Sequence, residues 1–212
     1  MSVSTSLWSF ALVVGLLTLT PGLDTALILR TSAVGRRRKA WGVVLGIQSG
    51  TLMWGALTSL GVTALLTASH LAYTALRWAG AAYLVWMGAR MLLATFRGLP
   101  ATGDDDGDLL SGKDSVAAGW RQGTLTNLLN PKVGAFYVAV LPQFIPAGTN
   151  HFAMGLLLAS VHVLLGLVWS AVLVGFARAV HGWLRKPRAR LLLDRITGSV
   201  IAAFGVRLAL SD

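Results

Sequence analysis

The chain has 212 residues, 55% of them hydrophobic, 12% charged and none cysteine, with a formal net charge of +10. Soluble domains average about 25% charged residues, so a mean hydropathy of +0.67 argues for lipid as the solvent and against one or two soluble domains. Nucleic-acid binding is not expected despite the basic balance, because Lys and Arg lie between hydrophobic runs rather than on an aromatic-interleaved patch, and the lack of cysteine removes disulfides, thiol catalysis and thiolate metal sites.

The first apolar run predicts a membrane span over 7–29. No basic segment precedes it and no small-x-small cleavage site comes before Pro21, so it reads as a retained helix and not a signal peptide. Inside it, Thr20-Pro21-Gly22-Leu23-Asp24 sets a helix breaker beside a charged group at membrane depth. The basic run Arg36 to Lys39 follows, and then a second span over 41–67. Gly42, Gly46 and Gly50 recur there every four residues and leave one helix face bare for a close neighbour. Gln48 and Ser49 are polar groups at membrane depth that either line a cavity or bond to an adjacent helix.

A third span is expected over 71–93, followed by a linker, 98–113, that carries Asp104, Asp105, Asp106 and Asp108. A calcium loop closes on a bidentate Glu; this chain has no Glu, so the acidic cluster reads as a solvated linker and no metal site is expected. The fourth span, 117–141, contains a second interruption, Asn127-Leu128-Leu129-Asn130-Pro131-Lys132. The fifth, 152–177, holds His162, read as a hydrogen-bonding partner of a neighbouring helix, and the sixth covers 192–210. The stretches 40–76 and 133–177 have no Asp, Glu, Lys or Arg, and each is long enough for more than one helix of about 20 residues.

The expected fold is therefore an all-α integral membrane protein with six transmembrane helices. It forms one domain, 1–212, with halves 1–97 and 114–212 joined by the acidic loop. Arg and Lys concentrate in alternate connections, which the positive-inside rule places in the cytoplasm, so both termini are expected on the other side. Trp8, Trp41, Trp78, Trp120 and Trp183 fall near span ends, as headgroup-level anchors do.

The two interruptions are placed alike. Pro21 lies nine residues before Arg30 and Pro131 ten after Arg121, which at about 1.5 Å per residue puts both roughly 15 Å deep, near the midplane. Spans three and six also echo each other, Arg77-x-x-Gly80 against Arg195-x-x-Gly198 with Gly88-x-Arg90 against Gly205-x-Arg207. A repeat of three spans enters the membrane in opposite senses in its two copies, so the expected architecture is two inverted three-helix repeats with a site between broken helices.

These two interruptions, the basic run, the glycines of span two and Leu141-Pro142-Gln143-Phe144 resemble the lysine exporter/threonine efflux (LysE/RhtB) family over nearly the whole chain. The resemblance implies a non-enzymatic, cofactor-free exporter of amino acids or their derivatives in the inner membrane, driven by the proton gradient. One departure is Leu23, where the family usually has a second proline, which alters the backbone beside Asp24.

An amino-acid cargo needs a positive and a negative element. Lys132 with freed backbone N–H groups is placed to hold a carboxylate, or else its side chain snorkels to the headgroups. Asp24, with Asn127 or Asn130 as partners, is placed to hold an ammonium or carry a proton; capping the broken helix is the other use for the asparagines. Pro21, Gly22 and Pro131 are the expected breaks, and Gln48 is a further candidate contact. The rival readings are an exporter of a metal cation or another small solute, a channel, and an intramembrane enzyme. Against the metal exporter and the enzyme stand dispersed histidines and carboxylates that cluster in one loop. The bilayer is the expected environment, and a homo-oligomer is compatible with the sequence.

Overall fold

A computed structural model of the chain describes residues 2–33, 36–68 and 115–177 continuously, with further helical positions scattered between 74 and 93 and between 191 and 210. Every regular element along the continuous stretches is helical: α1 (Val3–Leu19), α2 (Leu23–Ala33), α3 (Arg37–Ala68), α4 (Val116–Leu128), α5 (Pro131–Ala139), a 3-10 turn (Leu141–Phe144) and α6 (His151–Gly175). An α-helix satisfies its own backbone, which is what lipid demands of a spanning segment.

Local chemistry sets the ends of these helices. Ser2 caps α1 by accepting from the Thr5 N–H, and Asn150 caps α6 by accepting from the Ala153 N–H. The residue before a proline is driven out of the helical region, and Thr20 is extended at φ −74°, ψ 122°. Across Thr20 to Gly22 the axes of α1 and α2 bend by 54°.

Helix α3 as far as Gly61 and all of α6 are long and apolar enough to cross a bilayer, and the bent pair α1–α2 makes a third candidate span. The fourth expected span is interrupted at Asn130-Pro131, the break expected there. It divides into α4 with 13 residues and α5 with 9, each shorter than the roughly 20 residues a single crossing takes. The spans expected over 71–93 and 192–210, and the linker 98–113, lie outside the continuously described residues.

Glycine builds the closest packing. A Cβ added at Gly42 would strike the Val116 carbonyl, one at Gly46 the Trp120 carbonyl, and ones at Gly119 and Gly123 the carbonyls of Lys39 and Val43. Bare positions therefore interlock from both sides, which is how helices associate where lipid gives no hydrophobic drive. The register rises together along both chains, so α3 and α4 run parallel. Thr124 Oγ1 donates to the Gly46 carbonyl at 3.1 Å and Trp120 Nε1 to Ser49 Oγ at 3.1 Å across this seam.

The α3–α6 seam has the opposite sense: Gly55 meets Ala159, Ser59 meets Gly155 and Gln48 meets Gly166, so α6 is antiparallel to α3. In α1, Phe10 packs tilted against Phe136 and edge-on against Phe144 while Leu17 lies near Lys132, which makes α1 antiparallel to α5. One core cluster joins Phe10, Val14, Phe136, Tyr137, Leu141 and Leu158; a second joins Leu27, Ile28, Val43, Val44, Ile47 and Leu173. Trp8, Leu12, Leu164 and Val168 face outward, as a lipid-contacting surface requires.

Candidate functional site at two broken helices

Proline at an interior helix position leaves the carbonyl four residues earlier without its donor. For Pro21 that carbonyl belongs to Leu17, and for Pro131 to Asn127. Other donors meet both: Lys132 Nζ donates to the Leu17 carbonyl at 3.2 Å and to the Thr20 carbonyl at 3.2 Å, and the Asn127 carbonyl accepts from the Asn130 N–H at 3.1 Å and from Trp54 Nε1 at 3.4 Å. The Lys132 ammonium thus meets the negative end of α1, the favourable pole for a cation.

The reciprocal bond comes from the other break. Asp24 lies in the first turn of α2, the pole that favours an anion. Its carboxylate accepts from Asn127 Nδ2 at 2.8 Å through Oδ2 and from Asn130 Nδ2 at 3.3 Å through Oδ1. Asn130 also caps α5, its Oδ1 accepting from the Lys132 N–H at 3.1 Å, with Pro131 at the start of the helix. Each break is therefore fastened by a side chain from the other, and the N-termini of two short helices converge on one place.

That place is hollow. A cavity of about 60 Å³ lies between α1, α2, α3, α4, α5 and α6, room for a few water molecules. Asp24, Asn127, Asn130, Lys132, Gln48 and Gly22 all contribute to its wall. The prolines shape the breaks without reaching the wall. Lys132 does not reach for the headgroups; its ammonium is turned in to the carbonyls of α1.

Several wall residues had no place in the sequence reading: Thr25, Thr51, Gly166, Trp169 and Ser170. On α6 they follow a legible rhythm, since His162, Gly166, Trp169, Ser170 and Leu173 fall at helical spacing on one stripe of an otherwise aliphatic helix. His162 bonds to a neighbour and lines the cavity as well. Its Nδ1 lies 3.0 Å from the Tyr137 hydroxyl, and the two rings stack at 5.8 Å and 13°. Two buried atoms in wall residues, Asn127 Oδ1 and Trp169 Nε1, have no hydrogen-bond partner among the described residues.

Interrupted helices closing on a cavity inside a lipid-facing bundle are a construction that membrane transporters use. Comparison with known sequences specifies which kind: residues 15–212 match the LysE type translocator family, and the chain belongs to it. A homoserine/homoserine lactone efflux protein of Salmonella typhimurium is 30% identical, covering 95% of this chain and 96% of the relative. The uncharacterized membrane protein YrhP of Bacillus subtilis is 27% identical over 97% of this chain and 99% of its own length, and a leucine efflux protein of an Enterobacter species is 26% identical over 95% and 94%. No solved structure matches the chain.

Proposed function

We propose that the chain is a single six-span domain, 1–212, that exports amino acids or amino-acid derivatives across the cytoplasmic membrane in exchange for protons. The observation that carries this reading is the Asp24 carboxylate, set in a cavity between two broken helices and gripped by Asn127 and Asn130. The relatives named for efflux of homoserine, its lactone and leucine support the substrate class.

The packing supports the expected topology. Parallel α3 and α4 oblige the chain to recross the bilayer between them, where the third span is expected over 71–93. With the basic run Arg36 to Lys39 at the cytoplasmic face, the start of α1 and the loop before α6 lie at the outer face. A sixth span over 192–210 returns the C-terminus to that side. Each half then supplies one broken helix, as an inverted repeat does.

In the exchange, Asp24 takes either a proton or the substrate ammonium, and competition for one carboxylate couples the two flows. Lys132 and the first N–H groups of the short helices attract the substrate carboxylate, while Gln48 borders the same space. One charge crossing roughly 150 mV supplies about 3.5 kcal/mol, enough to hold a gradient of a few hundredfold at about 1.4 kcal/mol per tenfold. A single proton per cycle is then sufficient.

The test is export itself. Cells loaded with dipeptides should release the corresponding free amino acids faster when they contain this protein, and a protonophore should abolish release against a gradient. Equal release with and without the protein across a full amino-acid panel refutes the exporter reading.

A further inference from the structure

His162 reaches the cavity wall from α6 with its ring already fixed. Tyr137 stacks on one face, Phe136 meets the ring edge-on at 6.3 Å and 70°, and the Tyr137 hydroxyl lies 3.0 Å from Nδ1. Tyr137 is 0% exposed, and among the described residues its hydroxyl has no other hydrogen-bond partner. A neutral imidazole has one N–H and one bare nitrogen. With the bare nitrogen at Nδ1 the buried hydroxyl finds an acceptor; with the N–H there its proton finds none, which is costly in a closed interior. The bond at one ring nitrogen thus sets what the other presents.

The other nitrogen, His162 Nε2, is left for the cavity. His162 and Gln48 both line it and are more than nine-tenths buried, at 8% and 7% exposed. Neither His162 Nε2 nor the Gln48 carboxamide has a hydrogen-bond partner among the described residues, yet these atoms are not closed off as Asn127 Oδ1 and Trp169 Nε1 are. The two groups are neighbours. Gly166 follows His162 by about one turn of α6, and a Cβ there would stand 2.8 Å from Gln48 Oε1 and 2.9 Å from Gln48 Nε2, so the bare position makes room for the carboxamide. We infer that Tyr137 is a positioning residue that keeps the His162 proton on Nε2, and that this N–H and the Gln48 carboxamide form a neutral polar subsite that binds an oxygen acceptor. In the empty carrier the acceptor is water; in the loaded one it is an oxygen of the cargo, a step that rests on the exporter reading. Asp24 and Lys132 supply the charges of the cavity, and this subsite supplies direction without charge.

The first measurement is NMR of the full-length protein in lipid nanodiscs at neutral pH, with isotope-labelled histidine nitrogens and His162 assigned by the signals that His162→Gln removes. Nε2 should be protonated and Nδ1 bare, and the Nε2 proton should show a cross-peak to water. Tyr137→Phe removes only the hydroxyl and should spread the ring over both tautomers. A proton on Nδ1 in the wild type, no contact with water, or a tautomer indifferent to Tyr137→Phe overturns the assignment. The second measurement is transport of tritiated L-leucine in proteoliposomes. His162→Phe should raise KM about tenfold and leave kcat within about twofold, while His162→Gln, which restores an N–H, should return KM to within about threefold of wild type. Equal KM for the two variants, or a loss confined to kcat, makes His162 a packing residue and overturns the inference. Should His162→Phe fail to fold, the wild-type and Tyr137→Phe spectra decide alone. Discordant spectra in a transporting wild type overturn this inference only, whereas a wild type with the expected spectra that moves no amino acid overturns the exporter reading only.

Discussion

At Asp24 a charge and two amides form one unit, and the three depend on each other for orientation. A carboxylate inside a bilayer costs about 2.5–3.5 kcal/mol on insertion scales. The two Asn donors and the pole of α2 offset part of that cost, and a side chain with only a structural duty could have been apolar. Asp24→Asn preserves size but cannot take up or release a proton. In proteoliposomes it should lose the ability to concentrate substrate under an imposed pH gradient, while passive exchange of labelled substrate continues. Undiminished concentration by the variant would show that the coupling proton travels elsewhere.

At the level of elements, Pro131 keeps α4 and α5 from fusing. An unbroken helix through 127–132 would swing Asn127 and Asn130 to new faces and return the Asn127 carbonyl, now bonded to the Asn130 N–H and Trp54, to its own ladder. Pro131→Ala should therefore insert and express normally but transport at least about tenfold more slowly, measured as initial export rate per molecule; a rate equal to wild type would make the break dispensable. The α3–α4 seam predicts a sharper contrast. At Gly46 an added side chain meets the backbone of Trp120 and Thr124, whereas at Gly15 it meets nothing within 4 Å. Overpacking costs about 1–3 kcal/mol, so Gly46→Leu should lower the melting temperature of the purified protein by roughly 3–10 °C. Gly15→Ala should leave it unchanged or slightly higher, by about 0.5–1 kcal/mol of helix propensity. Equal melting temperatures for the two variants would mean that the seam does not hold the bundle together.

For the whole molecule, the sense of the helices sets which ends share a membrane face. Ser115 precedes α4 and Ala147 follows α5, with the 22 residues of the two helices between them, 13 and 9, or about 33 Å of helix at ~1.5 Å per residue. The chain has no cysteine, so Ser115→Cys and Ala147→Cys each introduce a single reactive thiol. An impermeant thiol reagent added to intact cells should label Ala147→Cys and spare Ser115→Cys until the membrane is opened. Labelling of both from outside would contradict the proposed orientation.

The lipid environment, the helical class, the two breaks and the glycine face were legible in the residues because each depends on local chemistry. Charge-free runs report the solvent, proline reports a missing N–H and bare positions report close approach. The sequence also marked Asp24, Asn127, Asn130, Lys132 and Gln48 as polar groups at membrane depth, since each is conspicuous among aliphatic neighbours. Which atoms those groups would meet was decided only when 103 residues of separation closed between Asp24 and Asn127 and 115 between Leu17 and Lys132. Lys132 shows the difference: its sequence position allows a headgroup contact or a cavity contact, and only the approach of α1 turns it to the Leu17 and Thr20 carbonyls. Trp169 passed unnoticed for the opposite reason. A tryptophan in an apolar helix is chemically ordinary, and only the packing of α2, α3 and α6 puts it in the cavity wall.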